Sequence, residues 1–203
     1  MRVLIWLLLA AWGVAGCRRI ECEEFQLDHP LMGWHWFADL QPSYTFVNGQ
    51  GRSVLLVRTE YEREAAEKRW CHLCLCTADL RTDYTCEMLG LLFQCDIDYA
   101  GEAESDAVNG NVYYGVNRLY SAQRDFSSFR SRDSTLDASV GSYSSALFTV
   151  HRRPSITLLA TTVSDVLELA ILDTAQAGAE VVWVKKGQGL IGFQRGGEVW
   201  VRQ

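Results

Sequence analysis

Apolar and polar residues alternate with a period of two through most of the chain, and no stretch sustains the 3.6-residue period of an amphipathic helix. The alternating runs are rich in Val, Thr, Tyr and Leu, which suit a pleated sheet with one buried face. Residues 44–47 and 53–61 flank Asn48-Gly49-Gln50-Gly51, a glycine-containing loop that predicts a hairpin. The second arm, "RSVLLVRTEYERE", places Glu60, Glu62 and Glu64 on one face of an extended strand, and that face is expected to be wet. Similar alternation marks "RWCHLCLCTADL", "LGLLFQCDIDY", "NVYYGVNRLY", "ALFTVHRR" and "SITLLATTVSDVLELAIL". The best helix candidate, residues 64–70, is short, and its neighbours favour a strand edge. Residues 121–145, rich in Ser, Arg and Asp, read as strands with a mobile connection, because Phe126, Phe129, Tyr143 and Phe148 need cover.

The tail carries the clearest local signal. In "EVVWVKKGQGLIGFQRGGEVWVR" three strands are predicted, residues 181–184, 190–194 and 198–202. Glycines 187 and 189 turn the first pair and glycines 196 and 197 the second, supplying the positive φ that tight hairpins require. Val182, Val184, Ile191, Phe193, Val199 and Val201 are candidate core positions, and residues 181–184 are candidates for burial on both faces. The pattern is an antiparallel meander.

The first residues break this pattern. Arg2 precedes an apolar run, residues 3–12, which ends in the small residues of "GVAGCRR". A bilayer core needs about 20 apolar residues in helix, and Gly13, Gly16 and Arg18-Arg19 interrupt this run too early. It reads as a secretory signal. Val14-Ala15-Gly16-Cys17 resembles the bacterial lipobox, in which the cysteine is acylated and becomes the new N-terminus. An ordinary signal peptide with an incidental cysteine, and a buried N-terminal strand, are the alternatives. The expected organisation is a signal peptide over 1–16, a tether over 17–30 and one β-rich domain over 31–203, anchored through lipidated Cys17. Two or more acyl chains hold a protein stably on a membrane where one does not. Arg18 stands where an aspartate would signal inner-membrane retention, so the expectation leans to the outer membrane.

Composition narrows the function classes. The chain is long enough for one domain with a real core. Its formal charge is −6, with 19 basic and 25 acidic residues, and removal of Arg2 with the signal makes it −7. That balance argues against nucleic acid, which attracts a basic face. The basic pairs Arg18-Arg19, Arg152-Arg153 and Lys185-Lys186 read as solvated turns.

Seven cysteines are present: Cys17, Cys22, Cys71, Cys74, Cys76, Cys86 and Cys95. With Cys17 lipidated, the other six form an even set, which in an exported chain reads first as disulfides. A turn centred on Arg81 would set Cys76 opposite Cys86, the favoured pairing; the partners of Cys22, Cys71, Cys74 and Cys95 stay open. Cys71-x-x-Cys74 has zinc-knuckle spacing, and His72 is near, but Cys86 and Cys95 do not form a second close pair. A redox role needs the motif at a helix N-terminus, and this one lies in an alternating strand. Neither a metal nor another cofactor is expected.

"DIDYAGEAESDA" puts Asp96, Asp98 and Gly101 at calcium-loop positions one, three and six, but Ala100 and Ala107 occupy ligand positions. No G-x-S-x-G, S-x-x-K or H-E-x-x-H arrangement occurs, and His29, His35, His72 and His151 share no ligand spacing, so no catalytic residues are assigned. His35 is expected on the strand face opposite Trp34 and Trp36. Those two tryptophans could stack on carbohydrate, though core packing is the better reading, as it is for Trp70, Trp183 and Trp200.

"TVSDVLELAI" followed by "VVWVKKGQGLIGFQRGGEVWV" resembles the end of a group of uncharacterised bacterial envelope lipoproteins, common in the Bacteroidetes, that close on a Gly-x-Gly-Leu β-hairpin. "HPLMGWHWFADL" is similar to the strand that follows their lipobox. Trp183 stands where that family has tyrosine, and Met32 interrupts the N-terminal pattern. The resemblance covers about a third of the chain and implies a lipobox, a β-rich fold and an envelope location. The expected architecture is mainly β, an antiparallel meander forming a curved sheet or partly open barrel. The expected role is a non-catalytic binding or structural module that contacts an envelope protein or ligand. The alternative is a carrier, since a curved sheet can enclose an apolar cavity for a lipid or small hydrophobic ligand.

Overall fold

The computed structural model describes residues 24–70, 73–101, 110–121, 127–132, 135–137, 148–174 and 178–203. Cys17, Cys22, Cys71, His72, Phe126 and Tyr143 lie outside them, and the side chains of Trp70, Cys74 and Cys76 are likewise outside the description.

Twelve strands form one antiparallel sheet: β1 (Ser43–Asn48), β2 (Ser53–Trp70), β3 (Leu73–Cys86), β4 (Leu91–Gly101), β5 (Gly110–Arg118), β6 (Ser127–Arg132), β7 (Thr135–Asp137), β8 (Phe148–Leu158), β9 (Thr161–Ile171), β10 (Val181–Lys185), β11 (Gly189–Arg195) and β12 (Glu198–Arg202). Two meanders, β1 to β7 and β8 to β12, join where β1 pairs with β12. The sheet curls into an open barrel. Its remote ends approach each other at Phe129 of β6 and Phe148 of β8, ring centroids 6.4 Å apart, and the Phe148 N–H donates to Ser127 Oγ at 3.2 Å.

The hairpins expected at 44–61 and across the tail are present, with Val47 opposite Ser53, Val182 opposite Phe193 and Phe193 opposite Trp200. Residues 64–70 are strand, not helix. Val182, Val184 and Phe193 face the interior core, as anticipated. A β-bulge between Trp183 and Val184 changes the pairing phase. Ile191 accordingly joins Trp183, Leu158 and Val166 in a second apolar cluster apart from that core, and Val199 and Val201 pack against it because Trp200, opposite Phe193, takes the core face of β12. Residues 182–184 are thus buried on both faces of the sheet.

The N-terminal segment is not the expected strand. Pro30–Trp34 is a 3-10 helix, with Pro at its start and the His29 imidazole accepting the Leu31 N–H at 3.3 Å. Leu31, Trp36 and Phe37 carry this segment into the core, so it plugs the curl. Phe25, in the stretch read as tether, is also fully buried, and its ring packs edge-on to Tyr99.

Candidate functional site

The interior is built around the plug. Trp36 stacks on Tyr114 at 4.8 Å and meets Phe93 edge-on, while Phe37 lies between Tyr44 and Tyr84. The plug is also held by backbone. Gly187 N–H donates to the Gly33 carbonyl at 2.7 Å and Leu190 N–H to the Trp36 carbonyl at 2.6 Å. Gly189, at φ +75, lies so close that a Cβ there would collide with the Trp36 carbonyl.

His35 is fully buried at the C-terminal end of the 3-10 helix and does not lie on a strand. Its Nδ1 accepts the Phe37 N–H at 2.9 Å, which leaves Nε2 to carry the proton and donate to Thr82 Oγ1 at 2.9 Å. Thr82 in turn donates to the Cys95 carbonyl at 3.3 Å. Burial lowers the imidazole pKa to about 4, against smaller upward pulls that include Asp39. A neutral, satisfied histidine here is a polar pin between plug and sheet.

Outside, a bulge between Arg58 and Glu60 shifts the phase of β2. Glu60, Glu62 and Glu64 therefore pair with Asp83, Arg81 and Asp79 of β3, and Arg81 is paired on its other side with Asp96 of β4. The Arg81 Nε lies 3.7 Å from Glu60, 4.0 Å from Asp83 and 3.9 Å from Asp96. Desolvation pushes the Asp96 carboxyl up to about 6, opposed by Arg81 and assisted by Asp83, Glu60 and Asp79. Asp83 is raised in the same sense by burial, although Gln94 donates to both its oxygens at 3.0–3.1 Å. Glu62, Glu64, Asp79, Arg81, Asp98 and Tyr113 line a groove of about 380 Å³ on this face. The arrangement attracts cations. Among the described residues, no group of three or more His, Cys, Asp or Glu side chains could hold a metal ion. Asp96, Asp98 and Gly101 belong to extended strand β4, which is not the geometry of a calcium loop.

The proposed Cys76–Cys86 bridge is overturned by the strand boundaries. Arg81 is not a turn: β3 runs unbroken from Leu73 to Cys86, so both cysteines lie on one strand, about 33 Å apart. A disulfide requires Cα atoms within about 7 Å. Cys86 and Cys95 are buried free thiols, and burial pushes both thiol pKa values up. The indoles of Trp34, Trp36, Trp183 and Trp200 are all buried, in keeping with the core reading.

Sequence reasoning did not find the pocket of about 610 Å³ at one end of the barrel, where Leu89, Arg118, Leu119, Tyr120 and Arg195 meet. Its residues come from three separate parts of the chain, and only the strand register brings them together. No protein-family pattern, curated protein or solved structure matches this chain.

Proposed function

We propose that this protein is a bacterial envelope lipoprotein, anchored at the outer membrane through acylated Cys17, and that it acts as a non-catalytic binding module. The lipobox pattern, the small residues before Cys17 and the resemblance to envelope lipoproteins support the anchor. The observation that carries the module reading is the filled interior. Leu31, His35, Trp36 and Phe37 occupy the concavity that a carrier would keep open for an apolar ligand. What the molecule offers a partner is therefore its surface.

The acidic face of β2, β3 and β4 is the part of that surface assigned to the partner, which would be cationic. Beyond Arg58, residues 59–65 of β2 pair, among the described residues, with β3 on one side only, and this edge is suited to accept an extended segment by strand addition. A second copy of the same edge would bring glutamate against glutamate, so a basic protein segment fits better. The test is photocrosslinking in living cells from position 62, with position 157 as a distant control. The reading predicts one discrete adduct from position 62 that disappears when Glu60 and Glu64 are changed to lysine. Adducts from position 157 alone, or from neither, would contradict it.

A further inference from the structure

The described arginines are almost all paired. Arg52 meets Glu198, Arg63 the Phe25 carbonyl and Glu24, Arg81 its three carboxylates, Arg153 Glu168, and Arg202 Asp39. Arg58 donates to the Leu40 carbonyl at 2.9 Å. Among the described residues, Arg118 and Arg195 stand apart, with no side-chain ion pair or hydrogen bond, and both line the pocket at the barrel end. Arg195 Nη1 is enclosed and has no hydrogen-bond partner. In a chain with more carboxylates than basic groups, an enclosed guanidinium nitrogen without a partner calls for an explanation, and the solvent-exposed Arg118 lines the same pocket.

The local structure holds them there. Arg118 ends β5, where the Leu119 N–H donates to the Gly90 carbonyl at 2.9 Å and ties that end to the turn before β4. Gly178 packs against the Arg118 stem and Leu91, close enough that a Cβ would stand 3.2 Å from each. Arg195 ends β11 beside buried Cys86, whose thiol pKa it pulls down against the larger effect of burial. Leu89, Leu119 and Tyr120 form the uncharged wall, and Tyr120 is 90% exposed.

We propose that this pocket binds an organic phosphate, with the phosphoryl group between Arg118 and Arg195 and the organic part against Leu119 and Tyr120. A guanidinium presents planar, paired donors that match phosphate oxygens. A phosphomonoester dianion neutralises both arginines, whereas a single carboxylate leaves one unmatched. The surrounding protein is acidic, so retention depends on these two local contacts and not on a general basic surface. A free phosphate and one carried by a lipid head group present the same chemistry to this site. This inference rests on neither the anchor nor the acidic face.

The experiment uses the full mature chain with Cys17→Ser, so that acyl chains play no part. Glycerol 3-phosphate is titrated calorimetrically, and phosphatidic acid vesicles are compared with neutral phosphatidylcholine vesicles by sedimentation. The proposal predicts saturable one-to-one binding of glycerol 3-phosphate, of phosphatidic acid, or of both. Soluble binding identifies a free phosphate as sufficient, and vesicle-only binding identifies a lipid-borne one. Arg118→Gln and Arg195→Gln, each checked for folding by circular dichroism, weaken it at least tenfold, and Arg153→Gln leaves it unchanged. If neither probe binds, if succinate binds as tightly as glycerol 3-phosphate, or if Arg153→Gln weakens binding equally, the assignment is wrong.

Discussion

His35 concentrates the residue-scale account. A buried imidazole held neutral contributes stability that is complete above its unfolded pKa of about 6.5 and declines as the pH falls towards the folded value of about 4. The shift corresponds to about 3 kcal/mol of lost stability across that window. Asp96 acts with the opposite sign: its raised carboxyl pKa favours the folded state as it protonates below about 6. The His35 contribution should therefore appear as a difference in slope between the wild type and His35→Gln in urea denaturation from pH 7 to 4. Equal slopes would disprove it. Thr82→Val strands the Nε2 proton in the core and should cost about 1–3 kcal/mol at pH 7. Cys86 and Cys95 should resist thiol alkylation in the native state and react after denaturation, as read by peptide mapping. The sequence singled out His35 but set it on a strand face, because "WHW" alternates like a strand. Its real surroundings come from Thr82 and Cys95, residues remote in the chain.

At the scale of elements, glycine explains why the tail was legible and the plug was not. Gly187, Gly189, Gly196 and Gly197 all have positive φ and punctuate the meander as the sequence suggests. Gly189 has a further role that no local pattern reveals, since the plug backbone passes directly against it. Gly189→Ala should therefore destabilise by about 3 kcal/mol or more in urea denaturation, combining backbone strain with collision. Gly51→Ala is a useful comparison, because Gly51 has φ +75 but open space around it, and should cost only about 1 kcal/mol. Equal costs would mean that the plug does not depend on the close approach. The bulges at 58–60 and 183–184 were invisible for a related reason: an added residue leaves the composition of a strand intact while turning its side chains over.

Over the whole molecule, the sequence foretold an antiparallel curved sheet or partly open barrel, and that is the architecture. Period-two alternation and hairpin glycines are local signals, and a meander is assembled from local pairings. The pairing of β1 with β12 joins the two meanders but has no local signal of its own. Ion pairs such as Arg52–Glu198 and Arg202–Asp39 depend on that closure, as does the pocket that Arg118 and Arg195 both line. The candidate binding surfaces were consequently less legible than the fold, although the row Glu60, Glu62 and Glu64 could be read directly. The proposed envelope role requires the tether, because a module acting there must be held at the membrane. The most direct test is mass spectrometry of the N-terminal peptide from protein extracted from native membranes. The account predicts a peptide beginning at Cys17 with a thioether-linked diacylglycerol and an amide-linked acyl chain. A peptide beginning elsewhere, or an unmodified Cys17, would contradict it.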